Sequence, residues 1–143
     1  MKYLRLFEND NIETEISVDG IIDYFTKNGK VEKVEMQEFI MKLFRWSTIK
    51  FQCHSCTFDN EYGATTTAHM NKTHKGKING FGYGFNDDYG HKDMHLKFNL
   101  NRIKYAHDVD VSKPIIIYGE LPDNVKKIVD EINMNTDANK YNL

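Results

Sequence analysis

The stretch 53-CHSCTFDNEYGATTTAHMNKTH-74 holds both cysteines of the chain and three of its six histidines. Two residues separate Cys53 from Cys56, twelve separate Cys56 from His69, and four separate His69 from His74. Zinc takes four borderline-soft ligands in a tetrahedron. A CxxC turn sets two thiolates on one side of such an ion. Two histidines about a helical turn apart set two imidazoles on the other. The spacing predicts a structural Zn²⁺ held by Cys53, Cys56, His69 and His74. It also carries a reading of the local fold. "TIKFQCHSCTF" reads as a β-hairpin whose turn holds both cysteines, and "GATTTAHMNKTHKGK" as a short helix with a basic end. The alternative is a pair of reduced cysteines in a tight turn, or a redox pair. A redox CxxC normally opens a helix, whereas a hairpin pattern surrounds this one.

Outward from this stretch the chain reads as a mixed fold. "KYLRLF" predicts a short strand near the N-terminus. "VDGIIDYFTKNGK" predicts a helix with Asp19 as N-cap and Gly29 as its stop. "VEMQEFIMKLFRW" predicts a second helix, with Met36, Phe39, Ile40, Leu43 and Phe44 at i, i+3, i+4, i+7 spacing. These two helices invite a helix-turn-helix reading, but their acidic balance favours packing over DNA contact. "INGFGYGF" and "HKDMHLKFNLNRIKY" predict two strands joined by the turn "NDDYG". In the second, Met94, Leu96, Phe98 and Leu100 alternate with polar residues, so one face is buried. "KPIIIYG" predicts a further strand and "LPDNVKKIVDEIN" a helix with Pro122 near its start. Residues from about 134 to 143 read as a frayed tail. There is no repeat and no linker rich in Pro or Gly. The expectation is a single α+β domain over residues 1–143. It is a small, mostly antiparallel sheet with packed helices and one embedded ββα zinc-finger-like unit at about 49–77.

Residues 53–74 resemble the Cys₂His₂ zinc-finger family over about 25 residues, the size of one such unit. The resemblance implies a structural zinc and a helix able to enter a DNA major groove. It also exposes departures. The family's aromatic and leucine core positions fall on Asn60 and Thr66. Phe51, Phe58 and Tyr62 are the candidates to replace them, or the unit leans on the rest of the domain. The base-reading positions fall on Tyr62, Thr65 and Ala68, none of which makes a bidentate base contact. The resemblance therefore points to an embedded zinc staple more than to a DNA-reading finger.

Charge and composition narrow the function classes. The formal net charge is −2, which argues against bulk binding to a polyanion. The charge is uneven, however. Residues 42–78 carry six Lys/Arg against two Asp/Glu, while the flanking segments are acidic. Within this basic third, Lys72, Lys75 and Lys77 are candidate phosphate contacts or a solvated basic helix end. Phe81 and Tyr83 in "GFGYGF" could stack unpaired bases or pack in a core. His91, Asp93 and His95 alternate on one strand and form a candidate second metal site, or a polar solvent-facing strand. At 40% hydrophobic and 13% aromatic the chain has a globular composition. It shows no membrane-length apolar run and no signal-peptide pattern, so a cytoplasmic protein is expected. Frequent Asn and Lys hint at an AT-rich source such as a phage or a low-GC bacterium.

No catalytic set is recognisable. The sequence therefore points to a small, non-enzymatic, zinc-containing regulator or inhibitor that binds a protein or nucleoprotein target. Nucleic-acid binding through the basic 42–78 region is the alternative. A metal-dependent nuclease around His91–His95 ranks below both.

Overall fold

The computed structural model describes residues 12–45, 47–59, 62, 65–100 and 105–141. The strand expected in "KYLRLF", the core position Asn60 and residues 101–104 lie outside the described residues. The elements are β1 (Glu13–Ile16), α1 (Val18–Tyr24), β2 (Thr26–Lys27), β3 (Lys30–Val31), α2 (Lys33–Phe44) and β4 (Thr48–Asp59). They continue with β5 (Thr65–Asn86), β6 (Asp93–Leu100), β7 (Tyr105–Val109), β8 (Ile115–Tyr118) and α3 (Asp123–Tyr141). The class is α+β, and every strand pairing among the described residues is antiparallel.

The first helix is shorter than its sequence suggests. Its N-cap is Ser17, whose hydroxyl accepts from the Gly20 amide at 3.2 Å, and Asp19 sits in the first turn instead. The helix stops at Tyr24 with Phe25 as its C-cap, and farther on Asn28 and Gly29 adopt φ of 54° and 77°. Two consecutive left-handed residues make a tight hairpin turn, so 26–31 becomes the β2–β3 hairpin. The second helix forms as its periodicity predicts and buries Met36, Phe39, Ile40, Leu43 and Phe44. α3 begins after Pro122, whose carbonyl accepts from the Lys126 amide. It runs through Tyr141, so the expected tail from 134 is helical to that point.

The largest departure is at residues 53–74. Cys53 and Cys56 are not in a hairpin turn; they lie within the twelve-residue strand β4. The expected helix at 63–77 does not form over its described residues, 65–77. Residues 65–86 make one 22-residue strand instead, with "INGFGYGF" as its second half. The run Thr65–Thr66–Thr67 is β-branched and favours this outcome. Strand pairing with β4 then satisfies its backbone from Thr65 to Lys77.

β4 has β5 on one edge. On its other edge it meets β8 over Thr48–Lys50, then β7 over Cys53–Phe58. The second half of β5 pairs with β6, and β6 pairs with β7. The ladder β4–β5–β6–β7 therefore returns to β4 and closes. Two irregularities make this possible: one between Ile78 and Gly80 in β5, and one between Cys53 and Ser55 in β4. A bulge bends its strand and increases the local twist. The closed end contains Phe51, Phe98 and Leu96, all at most 1% exposed. The open end of the sheet turns Ile16, Ile49, Ile115 and Ile117 into a core shared with α1, α2 and α3.

Candidate metal centre

The bulge in β4 decides which side chains meet. Cys53 lies opposite Val109 of β7, Ser55 opposite Asp108, and Cys56 opposite His107. Side chains alternate along β7, so His107 and Val109 share the inner face and Asp108 takes the outer one. Cys53 and Cys56 therefore both point inward, although regular alternation would send them to opposite faces. On the other side of β4, Phe51 lies opposite His74. The inward positions of three strands thus bring Cys53, His74 and His107 to one place.

The three ligand-type atoms lie within 4.8 Å of one another. Cys53 is fully buried, His107 is 6% exposed and His74 is half-buried. Cys53 Sγ is 3.8 Å from His107 Nδ1, and its thiol donates to the Ser55 carbonyl at 3.0 Å. The imidazole rings of His74 and His107 stand 4.6 Å apart. His74 Nε2 is buried and has no hydrogen-bond partner. A buried polar atom without a partner costs about 1–3 kcal/mol. A metal ion at the centre would remove that cost. Tetrahedral zinc, with Zn–S of about 2.3 Å and Zn–N of about 2.0 Å, spaces its ligand atoms roughly 3.3–3.8 Å apart. The cluster needs only small side-chain adjustments to reach that spacing. The donor set fits a metal.

The electrostatics are those of a dry site. Burial, the neighbouring Cys56 and Asp108 push the Cys53 thiol up to about 11. Burial and then Asp108 push Cys56 up as well. Burial lowers His74, with Lys72 adding to the effect, and burial followed by His74 lowers His107. The imidazoles are therefore held neutral, the form that binds metals. Behind the centre, Ser55 Oγ donates to Asp108 Oδ2 at 2.6 Å, and Lys97 Nζ lies 3.6 Å from Asp108 Oδ1. This clamp ties β4, β7 and β6 together on the outer face. In front, aromatic rings run from α2 to the centre: Phe44–Phe98 at 5.2 Å, Phe98–Phe51 at 5.2 Å and Phe51–His74 at 5.9 Å.

Of the four ligands expected from spacing, Cys53 and His74 join the cluster. Cys56 is 4% exposed and sits across from His107, outside the group of three. His69 does not join it. It pairs in register with Ser55, which places it on the outer side, exposed, with its ring 5.9 Å from His54. His69 and His74 are five residues apart on β5, so strand alternation places them on opposite faces. The ligand that spacing missed is His107, supplied by a strand far along the chain. Among the described residues, His91, Asp93 and His95 form no metal-sized group, and all three are exposed. Phe81 and Tyr83 are partly buried against the core. Lys72 lies opposite Cys53, whereas Lys75 and Lys77 lie opposite Lys50 and Thr48. Among the described residues, no helix is long and apolar enough to cross a membrane.

The chain matches no family model, no curated protein and no solved structure.

Proposed function

We propose that this is a small zinc-binding protein whose metal is structural and which works by binding a macromolecule. The observation that carries the zinc reading is the convergence of Cys53, His74 and His107, with His74 Nε2 buried and unpartnered. Two imidazoles with thiolate suit zinc better than calcium or magnesium, which prefer oxygen. Cys56 is the natural fourth ligand. It is buried, shares the inner face with Cys53 and faces His107 across the strand pair. With it the site is a closed Cys₂His₂ tetrahedron, as in structural zinc centres; a water in its place would make the open geometry of catalytic ones. The closed form supports a non-enzymatic role, regulatory or inhibitory, toward a protein or nucleoprotein target.

Cobalt substitution tests the reading. Co²⁺ titrated into metal-free protein should bind at about one equivalent and give tetrahedral d–d bands. The thiolate-to-cobalt charge-transfer band should fall by about half in Cys56→Ser, as expected when one of two thiolate ligands is removed. Absence of tetrahedral bands would refute the metal centre. An unchanged charge-transfer band in Cys56→Ser would leave the metal but open its fourth position.

A further inference from the structure

The outer face of the sheet carries a cluster of lysines that the metal centre does not use. Lys50 on β4 and Lys75 on β5 are directly opposite in register. Like charges so placed destabilise a strand pair. Lys77 follows Lys75 on the same face, one side-chain repeat or about 7 Å along the strand. Lys75 and Lys77 are exposed and Lys50 is half-buried. The helices cover the opposite face, where Ile49 and Ile117 are buried, so this one stands outward.

The lysines are not neutralised locally. Among the described residues, none of the three has a carboxylate within 4 Å; the salt bridge is Lys97–Asp108. On the same face, Glu13 and Glu15 sit on β1, with β8 between them and β4. Asp110, beside Gln52, is held by the hydroxyl and amide of Ser112. The arrangement is also ordered. Lys75 Nζ sits 4.1 Å from the centroid of the Tyr118 ring, a cation–π contact that fixes its direction. Thr73 donates to Gln52 at 2.9 Å, leaving both side chains on the same surface with further hydrogen-bonding capacity.

We propose that Lys50, Lys75 and Lys77 form a docking surface for the phosphodiester backbone of nucleic acid. Charge complementarity argues for a polyanion. Three lysines concentrated on adjacent strands, flanked by neutral hydrogen-bond donors, suit regularly spaced phosphates. The readout is independent of sequence, because lysine contacts to phosphate carry no base information. The chain's net charge of −2 confines binding to this face and makes it weak, in the range of about 10⁻⁴–10⁻⁶ M that non-specific binding occupies. The inference stands on the sheet face and does not require the zinc reading.

The test is fluorescence anisotropy of the full chain, as purified, with labelled single-stranded DNA, single-stranded RNA and duplex DNA across salt concentrations. Micromolar binding that weakens with salt is expected. The triple variant Lys50→Ala/Lys75→Ala/Lys77→Ala should bind at least tenfold more weakly. Its salt slope on a single strand should fall by about 2, near 0.7 for each lost phosphate contact. Lys→Arg at the same three positions should retain binding. So should Lys126→Ala/Lys127→Ala on α3, with an unchanged circular dichroism spectrum for every variant. No binding at low salt, or binding equal in the triple alanine variant, would overturn the proposal. Displacement of the probe by polyglutamate as effectively as by unlabelled oligonucleotide would overturn it too, in favour of an acidic protein partner.

Discussion

The two halves of β4 rest on different chemistry. From Thr48 to Lys50 the strand lies between β5 and β8, and the inward residues Ile49 and Phe51 are at most 1% exposed. Ile49 joins an apolar core with Ile16, Ile115, Ile117 and the three helices. From Cys53 to Phe58 the same strand lies between β5 and β7 and turns its thiols inward, toward the imidazoles of His74 on β5 and His107 on β7. Burying an aliphatic side chain contributes about 1.5–3 kcal/mol without any partner. Burying an imidazole nitrogen costs energy until something satisfies it. The first half of the strand is stable through its own composition. On the proposed zinc reading, the second half would be completed from outside, by an ion.

Zinc removal should break the comparison most strongly. Structural zinc contributes about 10–16 kcal/mol in apparent terms where it organises a whole small unit. Here the loss should be smaller, because the helical core persists. Hydrogen exchange should show amides of 53–58, 68–74 and 105–109 losing protection in chelator. Those of α2 and of Ile115–Tyr118 should keep theirs. A uniform loss would mean that the two halves form one cooperative unit.

Core truncations sharpen the same contrast. Phe98→Ala should cost about 3–5 kcal/mol by denaturant unfolding. It should also weaken zinc retention, since Phe98 packs on Phe51 beside the two histidines. Ile117→Ala should cost about 2–5 kcal/mol and leave zinc affinity unchanged. Ser55→Ala removes the hydrogen bond to the Asp108 carboxylate. A bond to a charged acceptor contributes about 1.5–3 kcal/mol, so the clamp behind the centre should weaken by that order.

The smallest expected effect is on pH dependence without metal. Burial lowers both His74 and His107, so the unfolded chain binds their protons more readily than the folded one. Stability is then full above the ordinary imidazole value of about 6.5 and declines as pH falls below it. At the alkaline end Cys53 stays a thiol to about 11, so stability declines as pH rises from the ordinary thiol range toward that value. Thermal melts of metal-free protein between pH 5 and pH 8, about the range in which histidine titrates, should show the acid limb. Flat melting temperatures across that range would contradict the neutral, buried imidazoles.

Much of the apolar half is legible in the sequence. α2 follows from the spacing of Met36, Phe39, Ile40, Leu43 and Phe44. β6 follows from strict alternation, and β8 from "IIIY". Each is a local pattern that reports which face is buried. The metal half is not local. The C-x2-C-x12-H-x4-H spacing identifies Cys53 and His74, but its helix competes with a β-branched run that pairs with β4. His107 lies on a five-residue strand with no motif around it. It reaches the centre only because the sheet closes, and closure depends on a bulge at Cys53–Ser55 that no composition or periodicity marks. The lysine face was legible as a charge balance, but not as a surface. Strand pairing brings Lys50 to Lys75 and Tyr118 and turns Phe81 and Tyr83 toward the core.

The choice between His69 and His107 tests the central claim most directly, because motif spacing selects the first and the closed sheet selects the second. Zinc content should be measured in freshly purified, reduced wild-type, His69→Ala and His107→Ala proteins, together with their unfolding free energies. Wild type and His69→Ala should each carry about one equivalent of zinc, with His69→Ala within about 0.5 kcal/mol of wild-type stability, as expected for an exposed side chain. His107→Ala should retain less than about half an equivalent and unfold more readily, because metal binding is part of the folding free energy. Full zinc in His107→Ala with loss in His69→Ala would contradict the account, as would wild-type protein holding less than about half an equivalent.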